Sequence, residues 1–247
     1  MSQDPRDNNA NPYQPLAAYG PVAGGLCRER RFLPEVTNTE MIASAAAAVD
    51  LVRRAPGFRW LAMARDGRRA RSIAFWSSAA TLDHYDAEYA PQVLQQVESS
   101  LPADPWNRQI SERRVGRVLL EVTSPSMSSS DAAMSVWDPP GAFLADDIGV
   151  CAEPAKLAEI VRTRAVTELD RLVQIDGFQL LALVAYHDDT LSLYLGYRRP
   201  QTAGSLAASP EILDLRTGLN ALATAAGTRV TRHDGELLAW YLRLLSS

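Results

Sequence analysis

Two stretches of the chain repeat one pattern of tight turn, strand and polar hairpin, and this repetition constrains the fold more than any other feature. The first stretch starts at Pro56 and reads Pro-Gly-Phe-Arg-Trp-Leu-Ala; the second starts at Asp176 and reads Asp-Gly-Phe-Gln-Leu-Leu-Ala. Each follows an amphipathic helical pattern and precedes a polar turn and a return strand. Self-similarity of this kind indicates an internal duplication.

The first copy has the order β-α-β-β-α-β. A capping box at 37–40 starts its first helix, because a Thr side chain and a Glu side chain can satisfy backbone amides reciprocally. Asp66-Gly67 predicts a hairpin turn. A second helix spans 82–97, and Pro91 is expected to bend or restart it. The strands are predicted at 22–32, 58–65, 71–77 and 113–122.

The second copy has the same order after a connection rich in Ser, Asp and Pro. Its predicted elements are a short strand at 148–152, a helix at 156–173, strands from 178 and at 190–198, a helix capped by Ser209-Pro210 and stopped at Gly227, and a last strand or hairpin at 229–242. The predicted organisation is a disordered arm at 1–20, a first repeat at 21–123, a linker at 124–145 and a second repeat at 146–247.

A β-α-β-β-α-β unit is ferredoxin-like and covers only one face of its sheet with helices. Two copies in one chain can pack their open faces together and remove that apolar surface from water. We therefore predict an α+β fold in which two tandem ferredoxin-like repeats form an intrachain barrel. The interior of such a barrel is expected to offer an enclosed apolar pocket for a ligand.

Composition restricts the class of protein. Of 247 residues, 47% are hydrophobic and 22% are charged, as in ordinary globular proteins. The net charge of −4 gives no electrostatic reason to expect nucleic acid or an anionic membrane as partner. With no long apolar run and no signal-peptide pattern, a cytoplasmic protein is expected. Cys27 and Cys151 are expected to be buried, reduced thiols.

Several residues carry a resemblance to a known family. Pro56-Gly57-Phe58, the Asp66-Gly67 hairpin, and Phe75-Trp76-Ser77-Ser78 followed by Leu82 and His84 resemble the antibiotic biosynthesis monooxygenases, which are dimeric α+β barrel proteins. The chain length and the duplication are similar to those of the oxygenases that open the B ring of angucyclines in jadomycin, kinamycin and gilvocarcin biosynthesis.

This resemblance implies oxidative carbon–carbon cleavage or hydroxylation of a polycyclic aromatic polyketide. It also implies reduced flavin, FADH2 or FMNH2, supplied as a dissociable cosubstrate by a separate flavin reductase. No metal is expected, and the chain is expected to act as a monomer or a homodimer.

The candidate site residues follow from the chemistry of such a reaction. An imidazole titrates near neutrality, so His84 is the candidate acid or base, with Trp76 and Tyr85 beside it as further catalytic candidates. Aromatic side chains can stack on a flat polycycle or donate hydrogen bonds to a quinone oxygen. The substrate-binding candidates are Trp60, Phe75, Tyr89, Tyr186, Tyr194 and Tyr197, and the candidates for holding flavin phosphate are Arg59 and Arg198.

Alternatives stay open at this point. The same aromatic residues can be ordinary core, and His84 can be a solvated surface residue. His187 and His233 lie beside predicted turns; a haem-associated protein of the chlorite dismutase type would need one of them as axial ligand, and haem is not expected. The enzyme can also be a cofactor-independent monooxygenase, or the barrel can be a non-catalytic binding or scaffold protein. The sequence has no G-x-G-x-x-G or P-loop motif and no G-x-S-x-G motif.

Overall fold

The computed structural model describes residues 25–32, 36–66, 69–100, 110–123, 135–198 and 202–242. The strands are β1 (Leu26–Phe32), β2 (Phe58–Asp66), β3 (Arg69–Trp76), β4 (Ile110–Thr123), β5 (Ser135–Ile148), β6 (Phe178–Tyr186), β7 (Leu191–Tyr197) and β8 (Val230–Leu242). The helices are α1 (Asn38–Arg54), α2 (Ala79–His84), α3 (Ala90–Ser100), α4 (Pro154–Gln174), α5 (Ala203–Ala207) and α6 (Pro210–Ala225). A π-helical turn, Tyr85–Tyr89, joins α2 to α3.

The strands form one closed barrel in the order β1-β3-β2-β8-β5-β7-β6-β4. The repeats meet along two antiparallel seams, β2 with β8 and β4 with β6. The last strand of each repeat therefore pairs with the other repeat, which removes both sheet edges. This confirms the predicted α+β barrel.

The two repeats match position by position. Gly57 and Gly177 both follow a long helix and both have a left-handed backbone, with φ of 72° and 82°. At the far end of each hairpin, the rings of Phe58 and Trp76 lie edge to face at 5.3 Å, and those of Phe178 and Tyr197 do so at 5.6 Å. Trp76 and Tyr197 are therefore equivalent residues.

Strand alternation sorts the apolar side chains into three groups. One group fills the inside of the barrel, and it includes Trp60, Phe75, Phe143, Leu180 and Tyr194, each at most 3% exposed. The other two groups lie outside the sheet, one under the helices of each repeat. The expected ligand pocket inside the barrel is therefore occupied by side chains of the protein itself.

Several element predictions need correction. Residues 135–145 of the predicted linker are strand, because β5 starts at Ser135. Of the strand predicted at 148–152, only Ile148 is strand, as the last residue of β5. The prediction of a linker rested partly on Pro139 and Pro140. They fall where the register of β5 against β8 shifts, between Val136 and Gly141, so their missing N–H groups interrupt a ladder that is already irregular.

Within the described residues, the segment 230–242 is one strand, β8, without a hairpin. Asp234-Gly235 predicted a turn, but both residues lie within β8. A Cβ at Gly235 would lie 1.8 Å from the backbone oxygen of Arg65, so glycine is required there by the close approach of β8 to β2.

Other predictions lie partly outside the described residues. These are the arm at 1–20 and Gly67 of the first hairpin, although Asp66 is seen to pair with Arg69 across that turn.

The capping box at the start of α1 is confirmed. Short helix α5 was not predicted. Among the described helices, none is long and apolar enough to cross a membrane.

Candidate functional site

A buried cavity lies between the outer face of the first repeat's sheet and its helices. About 30 Å³ is open to the centre of a water molecule, which is room for one or two waters. The floor comes from β1, β2 and β3, and the roof from α1, the π turn and α3. Its lining includes Arg28, Arg30, Ser44, Ser72, Trp76 and Tyr85, and the other lining residues are small or apolar.

Local sequence explains how Trp76 and Tyr85 meet. Alternation along β3 turns Phe75 into the barrel and Trp76 out toward the helices. Ser78 then starts α2 through a capping box with Thr81. The next turn places Tyr85 on the indole, with ring centroids 4.6 Å apart.

The π-helical turn has a clear cause in the backbone. The N–H of Ala90 donates to the carbonyl oxygen of Tyr85, five residues earlier. Pro91, the next residue, has no N–H to donate. The expected disturbance at Pro91 is thus a widened turn directly before it, and such turns are frequent at functional sites.

Arg28 brings a positive charge to this cavity. Its guanidinium carbon lies 4.8 Å from the ring centroid of Tyr85 and 5.8 Å from that of Trp76. Only 8% of the Arg28 side chain is exposed, and it forms an ion pair with Asp86 of the π turn, whose side chain is 51% exposed. A buried cation held against two aromatic faces is a strong recognition element for an anion.

Trp76 contributes a buried hydrogen-bond donor to the cavity. The residue is fully buried, and its indole Nε1 has no hydrogen-bond partner among the described residues. Buried donors without partners are rare in native proteins because each one costs its desolvation free energy. A ligand oxygen beside Trp76 would satisfy this group.

In the second repeat, buried leucines occupy the positions equivalent to Arg28 and Ala74. Arg28 pairs with Ala74 across β1 and β3, and at the equivalent positions of the second repeat Leu144 pairs with Leu195 across β5 and β7. Both leucines are at most 1% exposed and belong to one packed cluster with α4 and α6. The duplicated fold therefore carries a polar cavity in its first half and a solid leucine core in its second.

His84 and Tyr89 lie apart from the cavity lining. His84 is exposed at the end of α2, and its ring centroid is 5.8 Å from that of Tyr89. Tyr89 stacks on Tyr85 at 6.4 Å and so forms an outer layer over the cavity. The acid–base role of His84 stays a prediction.

Trp60 and Phe75 occupy the opposite face of the same sheet. Their rings stack with centroids 3.7 Å apart inside the barrel. The indole of Trp60 donates to Glu121 at 2.6 Å, and Arg59 donates to the other oxygen of that carboxylate at 2.7 Å. Burial raises the pKa of Glu121, and these two donors oppose that shift.

Tyrosines of the second repeat are also placed inside the protein. The hydroxyls of Tyr186 and Tyr194 are 2.6 Å apart, and Tyr194 donates to Glu29 at 3.2 Å. Burial raises the pKa of both phenols well above its usual range. Tyr197 lies outside the barrel under α4, where its hydroxyl donates to the carbonyl oxygen of Leu172 at 3.2 Å. The structure therefore separates the predicted substrate-binding residues into three places.

One mouth of the barrel holds a charged network that the sequence did not reveal. Fully buried Glu29 accepts hydrogen bonds from three arginines and one tyrosine: Arg31, Arg71, Arg114 and Tyr194. His233, predicted in a turn, lies on β8 with Nδ1 3.5 Å from Asp66 and Nε2 3.3 Å from Asp147. The Asp-Gly pair directly after His233 is typical of a turn, and it obscured the continuous strand.

Asp147 shows the electrostatic effect of this network. Burial alone would raise the pKa of its carboxyl. Hydrogen bonds from His233 and Ser192, with the charges of Arg31 and Arg71, hold that pKa well below its usual range. In the described part of the chain, no three His, Cys, Asp or Glu side chains are arranged to hold a metal ion.

The two predicted flavin-binding arginines do not form one site. Arg59 is engaged by Glu121 on one side of the barrel. Arg198 is exposed just after β7, and strands β8 and β5 separate β7 from the strand of Arg59. These residues do not fit a shared phosphate site.

Similarity to solved structures supports the fold. A candidate monooxygenase from Fusobacterium nucleatum subsp. nucleatum is 13% identical, with a TM-score of 0.59 over 90% of this chain and 96% of that one. A second, from Lactobacillus acidophilus NCFM, is 11% identical, with a TM-score of 0.55 over 89% and 97%. An anthrone oxidase-like protein is 10% identical, with a TM-score of 0.54 over 91% and 97%.

No protein-family model matches the chain, and no curated protein matches its sequence. At identities this low the likeness shows a shared fold. A shared fold does not determine the reaction, which depends on the residues of the site.

Proposed function

We propose that this chain is an oxygenase that acts on a planar phenolic compound bound between Arg28, Trp76 and Tyr85. The substrate class is an aromatic polyketide, of which an angucycline is one form, and the reaction is hydroxylation or oxidative ring cleavage. The fold shared with candidate monooxygenases and an anthrone oxidase-like protein supports this proposal.

One observation carries the proposal. The cavity combines a buried guanidinium, two aromatic faces and a buried indole N–H that has no partner in the described part of the chain. An oxyanion on a flat ring system would use all of these groups at once. A saturated hydrocarbon would use none of the polar ones.

The chemistry follows from the charge on the substrate. A phenolate or enolate is electron-rich and can pass single electrons to O2, which a neutral phenol does slowly. Arg28 and the Trp76 indole would stabilise the anion, and the helices would exclude water from it. With a hydroxyanthrone, a carbon–oxygen bond forms at the ring methylene and the hydroperoxide then loses water. One oxygen atom becomes the new carbonyl, and the other leaves as water with both methylene hydrogens.

Reduced flavin from a separate reductase is a second form of the proposal. Arg59 and Arg198 do not support it, because Arg59 pairs with Glu121 and two strands separate it from the strand before Arg198. We therefore propose the cofactor-independent reaction first. The barrel closes within one chain, so the sheet needs no second copy for its completion.

The cavity must enlarge before such a substrate can bind. Pockets for drug-sized ligands usually measure about 300 Å³ or more, and this cavity offers far less. The segment from α2 to α3 covers the cavity and includes the π turn, so its displacement is the expected route of entry.

The test is turnover of 1,8-dihydroxyanthrone under air, with and without a flavin reductase, FAD or FMN, and NADH. Uptake of O2 is followed with an electrode, and incorporation of ¹⁸O is followed by mass spectrometry. Turnover without flavin supports the cofactor-independent reaction. Turnover of this compound or of an angucycline only with reduced flavin supports the second form, and no turnover with either substrate favours a binding protein.

Variants locate the reaction. Trp76→Phe keeps the aromatic face and removes the N–H, and loss of an oxyanion donor lowers turnover by about 10²-fold. Its matched control is Tyr197→Phe at the equivalent position of the second repeat, which should retain wild-type turnover. Equal losses in both variants would contradict a site in the first repeat.

His84→Ala tests the predicted acid or base separately. A general acid or base contributes about 10²-fold or more to the rate. Wild-type turnover in this variant would remove His84 from the mechanism.

A further inference from the structure

The ion pair between Arg28 and Asp86 joins the floor of the cavity to its cover. Arg28 belongs to β1 in the barrel wall, whereas Asp86 belongs to the π turn above it. Asp86 is the one carboxylate that pairs with Arg28 among the described residues. The contact therefore ties the covering segment to the sheet.

The two partners differ in their exposure to water. The Arg28 side chain is 8% exposed and the Asp86 side chain is 51% exposed. If Asp86 turned outward, its carboxylate would regain full hydration at little cost. The buried guanidinium would then lose its counterion, which is costly unless another anion replaces it.

From this asymmetry we propose that Asp86 is a displaceable counterion, and that an anionic aromatic ligand takes its place on Arg28. Binding then replaces the Asp86 carboxylate on the guanidinium by the anion of the ligand and removes one contact between the π turn and the sheet. The cavity accordingly selects ligands by negative charge as well as by a flat apolar body. This inference rests on the proposed function in taking the cavity as the ligand site, and it requires no turnover.

The geometry distinguishes this role from that of a positioning residue. Arg28 is already held by the faces of Tyr85 and Trp76 and by its burial, so it does not depend on Asp86 for its place. The Asp86 carboxylate competes with a bound anion for the Arg28 guanidinium. Its removal should therefore strengthen the binding of anions.

The experiment compares two matched, oxygen-stable probes by isothermal titration calorimetry: 2-naphthoate, which is an anion, and 2-naphthamide, which is neutral and of nearly the same shape. We expect the wild-type protein to bind 2-naphthoate more tightly than 2-naphthamide. Asp86→Asn should tighten 2-naphthoate binding by about fivefold, the equivalent of a partly exposed ion pair of about 1 kcal/mol. Its affinity for 2-naphthamide should change less than about twofold.

A second acidic residue of the π turn provides the control. Glu88 is exposed, so Glu88→Gln makes the same change in net charge without touching the Arg28 pair. This variant should bind both probes as the wild type does. Arg28→Gln should lose the preference for 2-naphthoate, and Arg28→Lys should restore part of it.

Weaker 2-naphthoate binding in Asp86→Asn would overturn the inference and make Asp86 a positioning residue. Equal tightening of both probes would also overturn it, since the cover would then be loosened without any counterion exchange. The inference would also be overturned if the wild type bound both probes with equal affinity, or bound neither. Failure of the oxygenase proposal would appear differently, as charge-selective binding of 2-naphthoate without oxidation of a hydroxyanthrone.

Discussion

Replacing Glu29 by Gln tests whether the charged network at the barrel mouth stabilises the fold. Glu29 is fully buried on β1 and contacts Arg71 at 3.1 Å and Arg114 at 3.2 Å. It also accepts a hydrogen bond from Tyr194 of the second repeat, so it links the two halves of the barrel. Glu29→Gln keeps the shape of the side chain and removes its charge.

The magnitude follows from burial. Removing one partner of a buried ion pair costs about 3–5 kcal/mol, because the remaining charges stay buried without compensation. Gln retains one accepting oxygen, so we take the lower figure of about 3 kcal/mol. In proteins of this size each kcal/mol lowers the melting temperature by about 2–4 °C, which gives a decrease of about 6–12 °C.

Glu112 provides a matched control. Its side chain is 43% exposed, and it also contacts Arg31, at 3.3 Å, and Arg114, at 4.0 Å. Exposed pairs contribute at most about 1 kcal/mol, so Glu112→Gln should lower the melting temperature by no more than about 4 °C. The assay is thermal and urea unfolding followed by far-ultraviolet circular dichroism. Equal decreases in the two variants would refute the argument from burial.

Two further predictions concern pH and backbone conformation. The pKa of Asp147 is lowered in the folded state, so this carboxyl stabilises the fold above its unfolded pKa of about 3.9 and loses that effect as the pH falls toward its folded value. His233→Ala removes one cause of the lowered pKa, so the acid-unfolding midpoint, measured by tryptophan fluorescence, should move to higher pH; an unchanged midpoint would count against this contact. Gly57 and Gly227 both have φ of 72°, but a Cβ would lie 2.4 Å from Thr81 at the first and within 4 Å of nothing at the second. In urea unfolding Gly227→Ala should cost about 1–2 kcal/mol for backbone strain alone, and Gly57→Ala should cost clearly more; equal costs would be inconsistent with the close contact.

Most of the architecture could be predicted because its helix starts and turns are specified by neighbouring residues. The capping box at the start of α1 and the repeated turn at Gly57 and Gly177 depend on neighbouring residues alone, and both appear in the structure. The duplication then required a way to bury two open sheet faces, which the barrel provides. Strand β5 was missed because its prolines lie at a register shift that depends on β8, a strand distant in sequence.

The candidate site was predicted in part. Trp76 and Tyr85 were identified, and they do line one cavity. Arg28 was missed because it lies on β1, far from the motif, and only the pairing of β1 with β3 brings it over the two rings. Trp60 and Phe75 were grouped with Trp76, whereas alternation along β2 and β3 places them on the other face of the sheet.

The most direct test of the account is a crystal structure of the protein with 1,8-dihydroxyanthrone, prepared without oxygen so that the ligand survives. We predict one ligand per chain, between Arg28 and Trp76 of the first repeat, with an oxygen atom on the guanidinium and Asp86 turned toward solvent. A ligand inside the barrel, or between α4 and α6 of the second repeat, would contradict the account.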